Sequence, residues 1–128
     1  MNPEYLKKMS AEELEAYAKT MGFTTAAAAG IEDKIKLIEG KRNRAAHLTV
    51  LGVELEVPIK RANDKRVNDV LIRGGTRDEL ERAFRLLLGD PQYDELIAAC
   101  VDEDGIVDEP AISYAYGALI ESDELKNF

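Results

Sequence analysis

The sequence holds one cysteine, Cys100, and one histidine, His47, among its 128 residues. A single thiol cannot close an intrachain disulfide, so a reducing, cytoplasmic setting is expected. One histidine without clustered cysteines supplies no zinc-type ligand set, and no Cys–His or Ser–His–Asp arrangement can be read from the spacing. Long hydrophobic runs are missing as well. There is no stretch of about 18 apolar residues that would span a bilayer, and Met1–Met9 lacks the apolar segment of a secretory signal. Basic residues nearly vanish after Leu88. Residues 89–128 carry 11 Asp and Glu against one Lys, net −10, whereas residues 1–88 carry 14 acidic and 16 basic side chains, net +2. An acidic third of this kind repels nucleic acid phosphates and suits gripping another protein.

What is present describes a folded chain. At 45% hydrophobic and 33% charged, the composition is that of a globular protein, long enough for one domain or a small domain with an appended motif. The acidic third is itself patterned. Leu96, Ile97 and Cys100 fall on one helical stripe, and Ile112, Ala115, Tyr116 and Leu119 on another. Cys100 on such a stripe is expected to be a buried small hydrophobe.

Local signals place the elements. Ser10-Ala11-Glu12-Glu13 has the form of a capping box, followed by Leu14, Tyr17, Ala18 and Met21 at helical spacing, with Gly22 as the stop. A small-residue stretch, Phe23–Gly30, leads into Ile31–Ile38, where Ile31, Ile35 and Ile38 share a face. The alanines 26–29 suit either a loop or a helix, since alanine is the best helix former. His47–Val50 and Glu54–Val57 alternate around Leu51-Gly52-Val53 and predict a β-hairpin turning at Gly52. Leu48 and Val50 share a face on the first arm, and Val53, Leu55 and Val57 on the second. Pro58 and then Ala62-Asn63-Asp64 close it.

Four helices are predicted beyond the hairpin. Asn63 or Asp64 opens the first, with Val67, Val70 and Leu71, and Gly74-Gly75 end it. Thr76–Glu79 is a second capping box and opens a helix through Leu80, Ala83, Phe84, Leu87 and Leu88 that stops at Gly89. Asp90-Pro91 reads as N-cap and first helical position of the third. Asp108-Glu109-Pro110 opens the fourth, running to about Glu124, with Ser122–Phe128 fraying. The expected fold is mainly α with one small β-hairpin: an N-terminal helical motif over 1–46, then the hairpin and a small bundle of about four helices over 47–128.

Asp102–Asp108 invites comparison with a calcium loop. With Gly105 as the sixth position, the first and twelfth positions are Cys100 and Ala111, where the motif requires carboxylates. An acidic inter-helix turn is the better description. Gly74-Gly75-Thr76 lacks the lysine of a phosphate loop, and Glu12, Glu13 and Glu15 are expected on a solvated helix face. No catalytic residue, metal ligand or cofactor site emerges. The basic clusters Lys41–Arg44, Lys60-Arg61 and Lys65-Arg66 either contact phosphates or form solvated patches that dock on the acidic third of a neighbouring copy.

Two resemblances follow from particular stretches. Leu6–Phe23 followed by Lys34-Ile35-Lys36-Leu37-Ile38 resembles the helix–extended-loop–helix motif of SAP-like, LEM-like and Rho N-terminal domains. Members of those families bind DNA, RNA or protein. Thr49–Pro58, Arg82–Tyr93 with its Leu87-Leu88-Gly89…Tyr93 junction, and the Val101–Asp108 turn resemble the tail assembly chaperones of long-tailed bacteriophages. That resemblance implies a protein without catalytic residues. It would bind the tape measure protein, with the tail tube protein as a second candidate partner, and hold it soluble in the host bacterial cytoplasm without entering the mature virion. It also implies a longer frameshifted product, for which an A-rich codon run at Lys126-Asn127 would be the slip site.

The residues expected to grip such a helical partner are Phe84, Leu87, Leu88, Tyr93, Leu96, Tyr114 and Tyr116; each is equally suited to the chain's own core. For the alternative, a nucleic-acid-binding adaptor, the expected contacts are Lys34, Lys36, Lys41 and Arg42. Self-association through the hairpin is also expected, because an isolated two-stranded hairpin is marginal alone.

Overall fold

The computed structural model describes residues 3–126, which are mainly helical with one antiparallel β-hairpin. Among them no helix is long and apolar enough to cross a membrane. Asn127 and Phe128, and with them half of the Lys126-Asn127 slip site, lie outside the described residues. The chain divides into two compact units, the first ending at Arg44 and the second running from Ala45 to Lys126.

In the first unit a 3-10 turn, Glu4–Lys8, precedes helices α1 (Ala11–Thr20) and α2 (Ile31–Arg42). Ser10 Oγ accepts the Glu13 N–H at 3.2 Å, which forms the N-cap half of the expected box. Gly22, at φ +94°, takes the left-handed conformation that releases the chain from α1. The alanine run is loop, not helix. Leu6, Leu14, Ala18, Met21 and Ile38 form the buried core, with Met9, Tyr17, Phe23 and Ile35 packed around it. Ile31 does not join Ile35 and Ile38 inside: it sits in the first turn of α2 and is exposed.

The second unit opens with strands β1 (Ala45–Val50) and β2 (Val53–Pro58), paired in register from Ala45–Pro58 to Val50–Val53. Leu51 and Gly52 form the two-residue turn, both at positive φ (52° and 77°), as a turn of the I′ family demands. Leucine is a poor occupant there, because its Cβ crowds the backbone in the left-handed region. Leu51→Asn is therefore expected to raise stability by about 0.5–1 kcal/mol, read as a higher melting temperature. A lower one would show that the Leu51 side chain, although exposed, contributes packing that outweighs the strain. Val53, Leu55 and Val57 are buried while Glu54 and Glu56 face outward, matching the alternation of the sequence.

Helices α3 (Ile59–Ala62), α4 (Lys65–Arg73), α5 (Arg77–Leu88), α6 (Asp90–Ala98), α7 (Glu109–Glu121) and α8 (Asp123–Lys126) follow. Helices α4 to α7 are the four expected; the single turns α3 and α8 have no periodicity long enough to announce them. Asp64 caps α4 by accepting the Arg66 N–H at 2.9 Å, and both halves of the Thr76–Glu79 capping box are formed on α5. Asp90 is the first residue of α6 rather than its cap. Gly89, at φ +80°, holds the cap position, and the Asp90 carboxylate turns to Arg85 at 3.1 Å. The expected fraying of the tail does not extend to Leu125, which is buried in α8.

The hairpin packs against α5 and α6 through β2 and against α8 through β1. Its outer edge at Glu56 is also closed. Gln92 Oε1 accepts the Glu56 N–H at 2.8 Å, and Gln92 Nε2 donates to the Glu56 carbonyl at 2.9 Å. A side-chain amide here stands in for a neighbouring strand, so the hairpin is supported within its own unit.

Candidate functional site

Six of the seven residues expected to grip a partner line the interior of the second unit. Phe84, Leu87, Leu88, Tyr93, Leu96 and Tyr116 are buried. The Phe84 and Tyr116 rings lie 4.7 Å apart, and the Tyr93 and Tyr116 hydroxyls meet at 2.5 Å. Burial, and then that hydrogen bond, push the Tyr93 hydroxyl well above its ordinary pKa. These side chains are the core that joins α5, α6 and α7; Tyr93 and Tyr116 also border an opening of about 310 Å³ with Arg77, Arg85 and Ile112. Tyr114 alone of the seven is outside, 63% exposed.

A second open groove lies on the same helices. Gly75, Arg77, Leu80, Ser113, Tyr116, Gly117 and Ile120 border a shallow channel of about 400 Å³ along α5 and α7, so Tyr116 of the expected set reaches it. Ser113, Gly117 and Ile120 share a helical face, and Tyr114 is three residues from Gly117 on the same helix. A Cβ built on Gly117 meets nothing within 4 Å, so the channel is open where that glycine sits. Arg77 lies over the Tyr116 ring at 5.2 Å and is ion-paired with Glu109. Arg85 is similarly engaged: it stacks over Tyr93 at 4.4 Å and reaches Glu81, Asp90 and Asp94 at 3.1–3.2 Å. Those carboxylates, Glu81 foremost, hold the guanidinium more firmly protonated than usual, although such exposed pairs contribute little stability.

The acidic turn between α6 and α7 is tightly built. Asp102 Oδ1 accepts the N–H groups of Asp104 and Ile106, both at 2.9 Å. Val101 and Val107 form a one-residue antiparallel bridge, and Asp108 N–H donates to the Cys100 carbonyl at 2.8 Å. Asp102 Oδ1 is thereby committed to the backbone. Among the described residues no group of three His, Cys, Asp or Glu side chains is placed to hold a metal ion. Cys100 is buried, its Sγ 3.5 Å from the Leu96 carbonyl, and burial raises its thiol pKa.

In the first unit the four basic residues expected at a nucleic acid fall in different surroundings, with Lys36 and Lys41 on one groove. Lys34 has a side chain only 15% exposed. Its Nζ donates to the Thr25 carbonyl at 3.1 Å and Thr25 Oγ1 at 3.2 Å, and it lies 3.6 Å from Glu15. Lys34 is a tie across the loop between α1 and α2. Lys36 and Lys41 border an open groove of about 660 Å³ with Phe23, Leu37 and Gly40, where the Lys41 ammonium sits 5.6 Å from the Phe23 ring. Arg42, half-buried near the end of α2, engages other groups of the chain.

Glu15 was expected on a solvated face with Glu12 and Glu13. It is instead the hub of the loop, accepting bonds from the Thr24 hydroxyl at 2.7 Å, the Thr25 N–H at 3.1 Å and the Thr25 hydroxyl. The Thr25 and Thr24 hydroxyls, more than Lys34, lower its pKa to about 2. The available signal was the lone Thr24-Thr25 pair in an otherwise featureless loop, within reach of a helix that carries three glutamates. Among protein-family models, curated proteins and solved structures, nothing matches this chain.

Proposed function

We propose that this chain is a binding protein of the tail assembly chaperone kind, which holds a phage tape measure protein soluble by covering an apolar stripe of its helix. The resemblance of Thr49–Pro58, Arg82–Tyr93 and Val101–Asp108 to that family supports this, and the mainly α fold with one hairpin is the fold the resemblance implies. The observation that carries the proposal is the open channel along α5 and α7, on a helix that also exposes Tyr114. An amphipathic helix lays its apolar face into such a channel, and helices with uncovered apolar stripes aggregate. The partner-binding surface in this proposal is therefore Leu80, Ser113, Tyr114, Gly117 and Ile120, with the buried Phe84 cluster as the scaffold beneath it.

Co-expression with the tape measure protein encoded beside this gene tests the proposal. Wild-type chain is expected to keep that protein soluble and to be recovered with it. Gly117→Ala adds a methyl group in open space within a helix, so it should stabilise the fold by about 0.5–1 kcal/mol and preserve recovery. Gly117→Phe should fold, fill the channel and lose recovery. A tape measure protein that is soluble without this chain, or that Gly117→Phe recovers as well as wild type does, would sink the proposal.

A further inference from the structure

The second unit carries a cleft of about 760 Å³ formed by α3, α4 and α5 and the start of α6. Its floor is apolar, from Val70, Ala83 and Leu86, and its rim bears Arg61, Arg66, Arg82 and Arg85. Such a concentration of guanidinium groups is unexpected in a chain of net charge −8. Two of the four are spoken for. Arg66 is held in a two-point pair by Asp64 at 3.0 and 2.7 Å, and Arg85 by Glu81, Asp90 and Asp94. The two carboxylates at the rim are also occupied, Glu79 by the Thr76 N–H of the capping box and Asp90 by Arg85. Among the described residues Arg61 and Arg82 are in no ion pair. They are exposed cations beside an apolar floor.

The same unit presents the complementary charge. The turn between α6 and α7 carries Glu103, Asp104 and Asp108 around Ile106 and Val107, which are 59% and 55% exposed. Large aliphatic side chains that exposed, on a turn this firmly braced, are a preformed ligand: the backbone bonds made by Asp102 and the Val101–Val107 bridge remove most of the ordering cost of binding. Cleft and turn are both open to solvent in the same fold, so neither covers the other within one chain.

We infer that the arginine cleft of one copy receives the Val101–Asp108 turn of a second copy, with Arg61 and Arg82 meeting Glu103 and Asp104 while Ile106 and Val107 cover Val70, Ala83 and Leu86. The contact is head-to-tail, because the two surfaces differ, and each added copy leaves one cleft and one turn free. Assembly therefore grows with concentration into rings or open filaments. The charged rim makes it sensitive to salt. This inference stands apart from tape measure binding, which uses the channel along α5 and α7.

Sedimentation velocity on the full chain tests it. Wild type is expected to self-associate at low salt and to dissociate at high salt. The variants Arg61→Glu/Arg82→Glu and Glu103→Lys/Asp104→Lys should each be folded by circular dichroism and associate about tenfold more weakly or worse. Mixed at equal concentration, the two reversed variants retain one intact turn and one intact cleft between them. The acidic cleft of the first variant and the basic turn of the second are complementary as well, so both interfaces can form and the mixture should regain salt-sensitive assembly like that of wild type. Wild type that stays monomeric at low salt, variants that associate as wild type does, or a mixture that regains no assembly would each overturn the inference. So would a wild-type monomer whose Arg61 and Arg82 bind a short DNA duplex, since the cleft would then be a phosphate site.

Discussion

Phe84→Ala is expected to lower the stability of the second unit by about 3–5 kcal/mol, the usual cost of removing a fully buried phenyl ring. Phe84 lies within α5 with no exposed surface, its ring tilted against that of Tyr116 on a helix that also buries Leu87 and Leu88. Truncation leaves a cavity where α5 and α7 meet and frees the Tyr116 ring that bonds Tyr93. Small domains have only about 5–15 kcal/mol in hand, so the variant should unfold at markedly lower urea. Tyr114→Ala, on the exposed side of α7, should stay within about 0.5 kcal/mol of wild type. Urea titration followed by circular dichroism checks both. A Phe84→Ala protein as stable as wild type but unable to recover its partner would return Phe84 to the binding surface the sequence allowed for it.

Thr25→Val is the second large change. Thr25 is fully buried; its hydroxyl donates to Glu15 and accepts from Lys34 at 3.2 Å. Valine keeps the shape and removes both bonds, which leaves a carboxylate and an ammonium each short of a partner, at a cost of about 1–3 kcal/mol. The same site sets the acid response. The Glu15 carboxyl is held at about 2 in the fold against an ordinary value of 4.5, so the unfolded chain takes up the proton first. The stability this group contributes is whole above about pH 4.5 and drains as pH falls toward 2. Melting temperatures from neutral pH down to about 2 should therefore fall more steeply for wild type than for Glu15→Gln, with Thr25→Val between them. Parallel acid profiles for wild type and Glu15→Gln would show that the carboxylate is not held by these bonds.

Much of the fold was legible locally. Ser10, Asp64 and Thr76 cap their helices, Gly22, Gly74 and Gly89 end theirs at positive φ, and the alternation Val53-Glu54-Leu55-Glu56-Val57 lies across a hairpin. Each of these depends on groups within about four residues of one another, where a backbone N–H, a short side chain and a dihedral preference decide the outcome. The loop character of the alanine run was not legible, since alanine suits both states and Glu15 and Lys34 hold the intervening Thr24 and Thr25 from outside the loop.

The candidate site was less legible. Tyr114 and Tyr116 are two residues apart on one helix and equally aromatic, yet one is solvent-facing and the other is core. Glu12, Glu13 and Glu15 share a helix, yet only Glu15 meets Thr24 and Thr25. Gly117 carries no signal in the sequence; only with α5 beside it does the missing side chain become part of a channel. The sequence by itself determined where helices and strands begin and end, how the acid is distributed, and that apolar stripes exist. Only the tertiary structure decided which stripe turns inward, which charge finds a partner, and which apolar surface remains open, because burial and pairing depend on segments brought together from distant parts of the chain, and that proximity has no local signature.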